Sequence, residues 1–269
     1  LGIIERPGSA DTILDALRRG LQLLEEKKIR AELVTITGEP IREIIKRTEE
    51  HHFDLVVIGA TRKGSRGLFW ISSKAYKIIK TIHPPVLVVL EKSSRIKRIL
   101  LCTGGQKYIA NAVTLTGQIA RGMQASVTLF HVMPEPPPIY ARLYRLQTDV
   151  DAVLNSKSEL GRNLREQKKI LEDLGVNVEV KLREGSVISE ILREIQAGNY
   201  DLLVAGSSLS RASLRTYILG DITREIVNRA CCAVLIVRSG ITGEGILHNL
   251  SGWLERITHH HKPEKTGRQ

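Results

Sequence analysis

Aromatic residues make up only 4% of these 269 residues, and cysteine occurs at just three positions. The scarcity of aromatics bears on the formal net charge of +11, which would otherwise invite a nucleic-acid reading. The basic residues are spread over expected helix faces, and no recognition motif accompanies them, so solvated surface charge and no nucleic-acid partner are expected. Cys102 and the neighbours Cys231 and Cys232 fall in or beside expected strands. They read as buried free thiols in a reducing cytoplasm, with a redox pair at Cys231–Cys232 as the alternative. No apolar run approaches the roughly 18 residues of a spanning helix, and there is no signal-peptide pattern. No membrane span is therefore expected, and a cytoplasmic location is. Nor does any Ser/His/Asp set, carboxylate pair or metal cluster have supporting spacing. His259 to His261 lie in a polar tail without the fixed geometry of a metal site. Neither an enzyme nor a bound metal is expected.

What the chain does have is one stretch carried twice. Gly38 to Gly59 and Gly185 to Gly206 align without a gap, 147 positions apart. Gly38/Gly185, Ile41/Ile188, Glu43/Glu190, Ile44/Ile191, Asp54/Asp201, Leu55/Leu202, Val57/Val204 and Gly59/Gly206 are identical pairs. A fixed-length match of this kind marks a duplicated unit. Within it, Ile41, Ile44, Ile45 and Thr48, like Ile188, Ile191, Leu192 and Ile195, follow the i, i+3, i+4, i+7 spacing of a helix face. Pro40 suits a first helical turn and Ser186 a cap. The runs beginning at Leu55 and Leu202 are continuously apolar, as strands buried on both faces of a parallel sheet are. Pro85–Val89 and Ala233–Val237 supply a second such strand in each copy.

In chain order, the spacing predicts a helix over Ala10–Lys28, a strand over Ala31–Ile36, and then the first copy of the repeat. A polar loop from Gly59 to Ser73, a helix to about Thr81 and a strand to Leu90 follow. After a charged linker come a strand at Arg98–Cys102, a helix at Tyr108–Met123, a strand at Ser126–Val132 and a proline-bearing loop to Tyr140. One long helix is expected from Asp149 to Leu174, then a strand at Asn177–Leu182 and the second repeat. Alternating strands and helices make the second unit a doubly wound parallel sheet. The first unit has only the later part of that plan. By the arithmetic of the repeat, about 50 residues are expected ahead of Leu1, with Leu1–Ile4 matching Phe130–Met133 as the end of a second strand. The expected domains are 1–91, lacking its first strand and helix; 96–238, complete; and a tail, 239–269. In that tail Ile246, Leu247, Leu250, Trp253, Leu254 and Ile257 form a helical stripe.

The order of elements, the block from Asp201 to Val237, and the endings His83-Pro-Pro-Val-Leu-Val-Val and Cys231-Cys-Ala-Val-Leu-Ile-Val resemble tandem universal stress proteins. The resemblance covers about residues 1–91 and 96–238. It implies an α/β fold of two Rossmann-like, doubly wound parallel five-strand domains in the order 3-2-1-4-5, the first incomplete. It also implies pairing through the fifth strands, here 85–90 with 233–238, antiparallel and within one chain. ATP is the cofactor the family implies. Its ATP-binding members carry an aspartate ending strand one and a loop of glycine, two residues, glycine, nine residues, glycine, then Ser or Thr. Such a loop closes backbone N–H groups around phosphate beside a helix N-terminus, at the switch point of the sheet.

Both copies depart from that loop. Gly59-Ala-Thr-Arg62 puts arginine at the second glycine, and Ser72-Ser73 keeps the hydroxyl without the third glycine. Gly206-Ser-Ser-Leu209 lacks the second glycine, and Gly220 is followed by Asp221, a good cap but a repellent neighbour for phosphate. Strand one of the second domain ends Thr103-Gly104, with glycine in place of the aspartate. The candidate binding residues are Gly59, Arg62, Lys63, Ser72, Ser73, Thr103, Gly104, Val132, Gly206 and Gly220. Ser73 and Asp221 also read as helix caps, Arg66, Arg211 and Arg215 as surface cations, and His131 as a satisfied sheet histidine. The expected function is regulatory stress response with an adenine-nucleotide site. The alternative is a dimerisation or partner-binding module, including a regulatory part of a larger protein.

Overall fold

The computed structural model describes residues 2–4, 10–62, 69–70, 73–90, 95–105, 109–133, 149–208 and 223–239. They fall into two compact units, Leu1–Phe53 with Ser73–His83 and Asp54–Ser72 with Pro84–Gln269.

The first unit holds β1 (Gly2–Ile4), α1 (Ala10–Glu26), β2 (Thr35–Thr37), α2 (Pro40–Glu50) and α3 (Ser73–Thr81). Pro40 opens α2, where its missing N–H has no helical partner to lose. Glu39, and not a Ser or Thr, caps that helix by accepting from the Arg42 N–H at 2.9 Å. β1 and β2 pair in parallel with Ile4 opposite Thr37. The expected strand over Ala31–Ile36 is thus shorter and shifted toward the repeat.

The second unit contains an eight-stranded sheet. Its strands are β3 (Val56–Arg62), β4 (Phe69–Trp70), β5 (Val86–Leu90), β6 (Arg98–Cys102), β7 (Ser126–Met133), β8 (Val178–Glu184), β9 (Leu202–Ser208) and β10 (Ala233–Ser239). They lie in the order β4-β3-β5-β10-β9-β6-β7-β8. Reading β6 to β10 as strands one to five gives 3-2-1-4-5, the doubly wound order. β5 and β10 pair antiparallel, with Leu87 opposite Leu235, which joins the two copies edge to edge. β7 and β8 pair with Met133 opposite Glu184, the register that Ile4 and Thr37 repeat in the first unit.

Helix α4 (Ala110–Met123) covers one face of β6, β9 and β10. Its buried Ala112, Val113, Leu115 and Ala120 share a core with Ile99, Leu101, Leu129, Val204 and Leu235. Three local departures from the sequence reading have physical causes. The long helix expected from Asp149 is two helices, α5 (Val150–Asn155) and α6 (Glu159–Asp173). Asp149 caps the first through the Asp151 N–H, and Ser158 caps the second by accepting from the Gly161 N–H at 3.0 Å. Gly161 is where the two meet, because a Cβ there would lie 2.3 Å from the Val153 carbonyl oxygen. The expected loop after Gly59 instead begins as strand. β3 runs on to Arg62 and β4 returns against it, Thr61 opposite Trp70. Finally, Cys232 is buried but Cys231 is exposed. Burial, followed by the neighbouring Cys231, pushes the Cys232 thiol up to about 12, so it is no ready thiolate.

Helix α7 (Val187–Gly198) and a helix at 223–229, α8, complete the unit. Ser186 occupies the cap position of α7 without a side-chain hydrogen bond. Behind α7 lies a buried polar cluster that the apolar pattern does not announce. Glu194 accepts from Tyr200 Oη at 2.8 Å and from Lys181 Nζ at 3.0 Å, and Arg183 lies 3.5 Å from its other oxygen. Burial works against the Glu194 charge. Hydrogen bonds from Tyr200 and Lys181, with the charges of Lys181 and Arg183, prevail and hold its pKa below the ordinary glutamate range.

Candidate functional site

In a doubly wound sheet the crevice for a ligand lies beyond the carboxyl ends of the strands where the order reverses. Here that point is between β6 and β9, which pair in parallel from Ile99 opposite Leu202 to Cys102 opposite Ala205. Beyond β6 the chain makes a tight turn, Thr103-Gly104-Gly105, with Gly105 at φ +71°, a conformation that favours glycine.

Three side chains fix this turn. The Thr103 Oγ1 accepts from the Gly105 N–H at 3.0 Å. The His131 Nδ1 lies 2.8 Å from the Thr103 carbonyl oxygen. A carbonyl only accepts, so Nδ1 carries the proton and Nε2 keeps its lone pair. The Asn163 Nδ2 donates to the Gly105 carbonyl at 2.8 Å. Thr103, Gly105, His131 and Asn163 are all buried. Burial holds the His131 pKa below the ordinary histidine range, and the bond to Thr103 opposes this only in part. The imidazole is therefore neutral at pH 7.

Among the expected binding residues, the structure brings Thr103, Gly104, Val132 and Gly206 to the ends of β6, β7 and β9. Gly104 is exposed, Val132 is buried on β7, and Gly206 is half-buried. A Cβ at Gly206 would meet Ile109 Cγ2 at 3.1 Å, so the residue ahead of α4 lies against this glycine. The equivalent Gly59, on β3, is exposed, with nothing among the described residues within 4 Å of such a Cβ. Arg62 ends β3, and Ser73 is the first residue of α3 and exposed. Lys63, Ser72 and Gly220 lie outside the described residues, as do Arg66, Leu209, Arg211, Arg215, Asp221 and the tail beyond Ser239.

Asn163 escaped the sequence reading. Its signal is a polar residue inside an apolar helical stripe: Leu160, Asn163, Leu164, Gln167 and Leu171 share one face of α6, and Asn163 and Gln167 are buried with Leu164 and Leu171. A buried amide on such a face needs a partner, and the Gly105 carbonyl is that partner for Asn163. Among the described residues, no group of three or more His, Cys, Asp or Glu side chains could hold a metal ion. No helix among them is long and apolar enough to cross a membrane.

Comparison with known proteins agrees with this geometry. The sequence model of the universal stress protein family matches residues 5–89 and again 95–238. A universal stress protein of Methanocaldococcus jannaschii is 25% identical over 142 residues, covering 53% of this chain and 82% of that protein. One of Bacillus subtilis is 25% identical over 146 residues, covering 52% of this chain and 98% of that protein. The crystal structure of a universal stress protein from Archaeoglobus fulgidus superposes with a TM-score of 0.62 at 20% identity, covering 88% of this chain and 81% of its own. Two matched segments, the 3-2-1-4-5 order and the tight turn at the switch point lead to one assignment: the chain belongs to the universal stress protein family.

Proposed function

We propose that this chain is a regulatory stress-response protein, not an enzyme, that acts in the cytoplasm by binding an adenine nucleotide, ATP, at the end of β3. Its parts are a first domain over 1–91, a second over 96–238 and a tail over 239–269. The observation that carries the reading is the contrast between two identical residues. Gly59 is exposed and open, whereas Gly206 lies under Ile109. A phosphate chain needs close approach to backbone, and of these two glycines only Gly59 leaves room for it. Arg62, three residues on, is the last residue of the same strand, and in the sequence the hydroxyl of Ser73 stands where the loop of the family's ATP-binding members ends.

The test is calorimetric titration with ATP, beside mass spectrometry of small molecules released on denaturation. Arg62→Ala and Ser73→Ala should each weaken binding roughly tenfold, the worth of one charge-assisted hydrogen bond. Affinity unchanged by both substitutions would refute the site.

A second reading rests on the other copy. The covered Gly206 and the internally satisfied turn at Thr103–Gly105 favour a second domain that binds no nucleotide and serves as a scaffold. β5 and β10 already pair with each other. Homodimerisation would then use another surface.

A further inference from the structure

β8 forms one end of the eight-stranded sheet and, among the described residues, pairs only with β7. The other edges are spoken for: β5 and β10 take each other, and β4 returns on β3 at the far end. The Asn177 carbonyl accepts from the Val127 N–H, and the Gly185 N–H donates to the Met133 carbonyl. The backbone groups of the odd-numbered residues of β8 thus face β7, and those of Val178, Val180 and Leu182 face outward. The side chains alternate between the two faces of the sheet. Val178, Val180 and Leu182 pack with Val153, Leu164 and Leu171. Glu179, Lys181 and Arg183 lie on the opposite face.

The charges on that face are specific to this copy, since the repeat carries Val34 and Ile36 at the positions of Lys181 and Arg183. The duplicated pattern does not require cations there. Lys181 is also held in place: its Nζ lies 3.0 Å from the buried Glu194 and 3.8 Å from Glu179. The Glu179 side chain is 61% exposed. Charged residues on an edge strand deter indiscriminate pairing. A run that changes sign along the strand can instead admit one register and reject the others.

We propose that the edge of β8 seats a second copy of this chain, the two β8 strands running antiparallel about a two-fold axis through Val180. A two-fold dimer presents the same patch twice, so the residue on the axis fixes every other contact. With Val180 on the axis, Glu179 of each copy falls opposite Lys181 of the other, and Val178 falls opposite Leu182. Glu179 and Lys181 then form non-hydrogen-bonded pairs, in which facing side chains come closest. The outward groups of Val178, Val180 and Leu182 make the hydrogen bonds. The neighbouring registers fail on charge. An axis through Glu179, Lys181 or Arg183 sets that residue against itself, and one through Leu182 sets Lys181 against Arg183. The interface lies toward the opposite end of the sheet from β3 and needs no nucleotide.

The test is sedimentation of the full chain over a range of concentrations, beside amide hydrogen exchange on β8. The expected result is a monomer–dimer equilibrium in which exchange at Val178, Val180 and Leu182 slows as concentration rises. The amides of Glu179, Lys181 and Arg183 stay protected throughout, because β7 holds them. Glu179→Lys gathers four cations around the axis and should weaken the dimer by about tenfold or more. The substituted side chain is exposed, so the variant keeps the core intact. A monomer at every concentration overturns the proposal. So does a dimer whose outward amides exchange as they do in the monomer, since its contact would lie elsewhere. Outward amides already protected in the monomer overturn it too, and identify a segment of the same chain as the occupant. A dimer unmoved by Glu179→Lys rules out the register and with it the proposal.

Discussion

Val57 and Val204 are the same residue at the same place in a repeat, so truncating each to alanine isolates the effect of cover. Two methyl groups are deleted in both cases. At about 0.8 kcal/mol per buried carbon, the transfer cost at Val204 is about 1.6 kcal/mol, because that side chain is fully buried. The cavity left between β9, β6 and α4 brings the total to roughly 2 to 3 kcal/mol. Val57 is 59% exposed, so the same deletion forfeits only about 0.7 kcal/mol of burial and leaves no closed cavity. The loss of β-propensity falls on both substitutions and does not produce the difference. Urea denaturation of Val204→Ala and Val57→Ala should therefore differ by about 1.5 to 2 kcal/mol. Because the chain has two units, exchange of core amides at Leu203 and Leu235 should be followed beside the bulk signal. Equal losses from the two substitutions would mean that β3 is covered in solution, and the contrast between the copies would fall.

Two further predictions concern pH. Glu194→Gln should cost about 1 kcal/mol at pH 7, since it removes the charge that Lys181 and Arg183 face while keeping an acceptor for Tyr200. The folded-state pKa of Glu194 is lowered, so its contribution is present above the ordinary glutamate range and is lost as pH falls through the folded value. The cost of Glu194→Gln should shrink between pH 7 and pH 3, and a constant cost across that range would refute the account. For His131 the folded pKa is also lowered, so below about pH 6.5 the unfolded chain binds a proton that the folded chain resists, and stability falls. His131→Gln should flatten this loss between pH 7 and pH 5, measured by thermal unfolding. A pH profile unchanged by the substitution would show that another group carries it.

The order of the sheet was legible because it depends on long, redundant signals. Continuous apolar runs at Leu55, Leu202, Pro85 and Ala233 mark strands buried on both faces, and the fixed offset of the repeat locates their partners. The antiparallel β5–β10 pair followed from the family resemblance and is present in the register of Leu87 with Leu235. Breaks inside an element were not legible, because they rest on one or two bonds. Ser158 starts a second helix through a single hydroxyl, inside a stretch that the apolar spacing reads as one helix. Glu39 takes the cap where the pattern favours other residues. The extension of β3 to Arg62 depends on β4 returning beside it, and polar composition alone reads that stretch as loop. The turn at Thr103 was visible as a pair of glycines, but its attachment to His131 and Asn163 joins residues 28 and 58 positions apart, from a strand and a helix, which no local pattern connects.

The same comparison bears on why the two copies differ in chemistry. A backbone site that accepts phosphate needs N–H groups and space, and side chains that satisfy the backbone remove both. In the second copy the turn beyond β6 is satisfied from within: Thr103 takes the Gly105 N–H, Asn163 serves its carbonyl, His131 serves that of Thr103, and Ile109 lies on Gly206. Each bond is individually worth only about 1 kcal/mol, but a ligand would have to replace them while paying to unseat buried groups. In the first copy, nothing among the described residues lies within 4 Å of a Cβ at Gly59. The two glycines are identical, so it is the side chains around them, and not the glycines themselves, that separate the two copies.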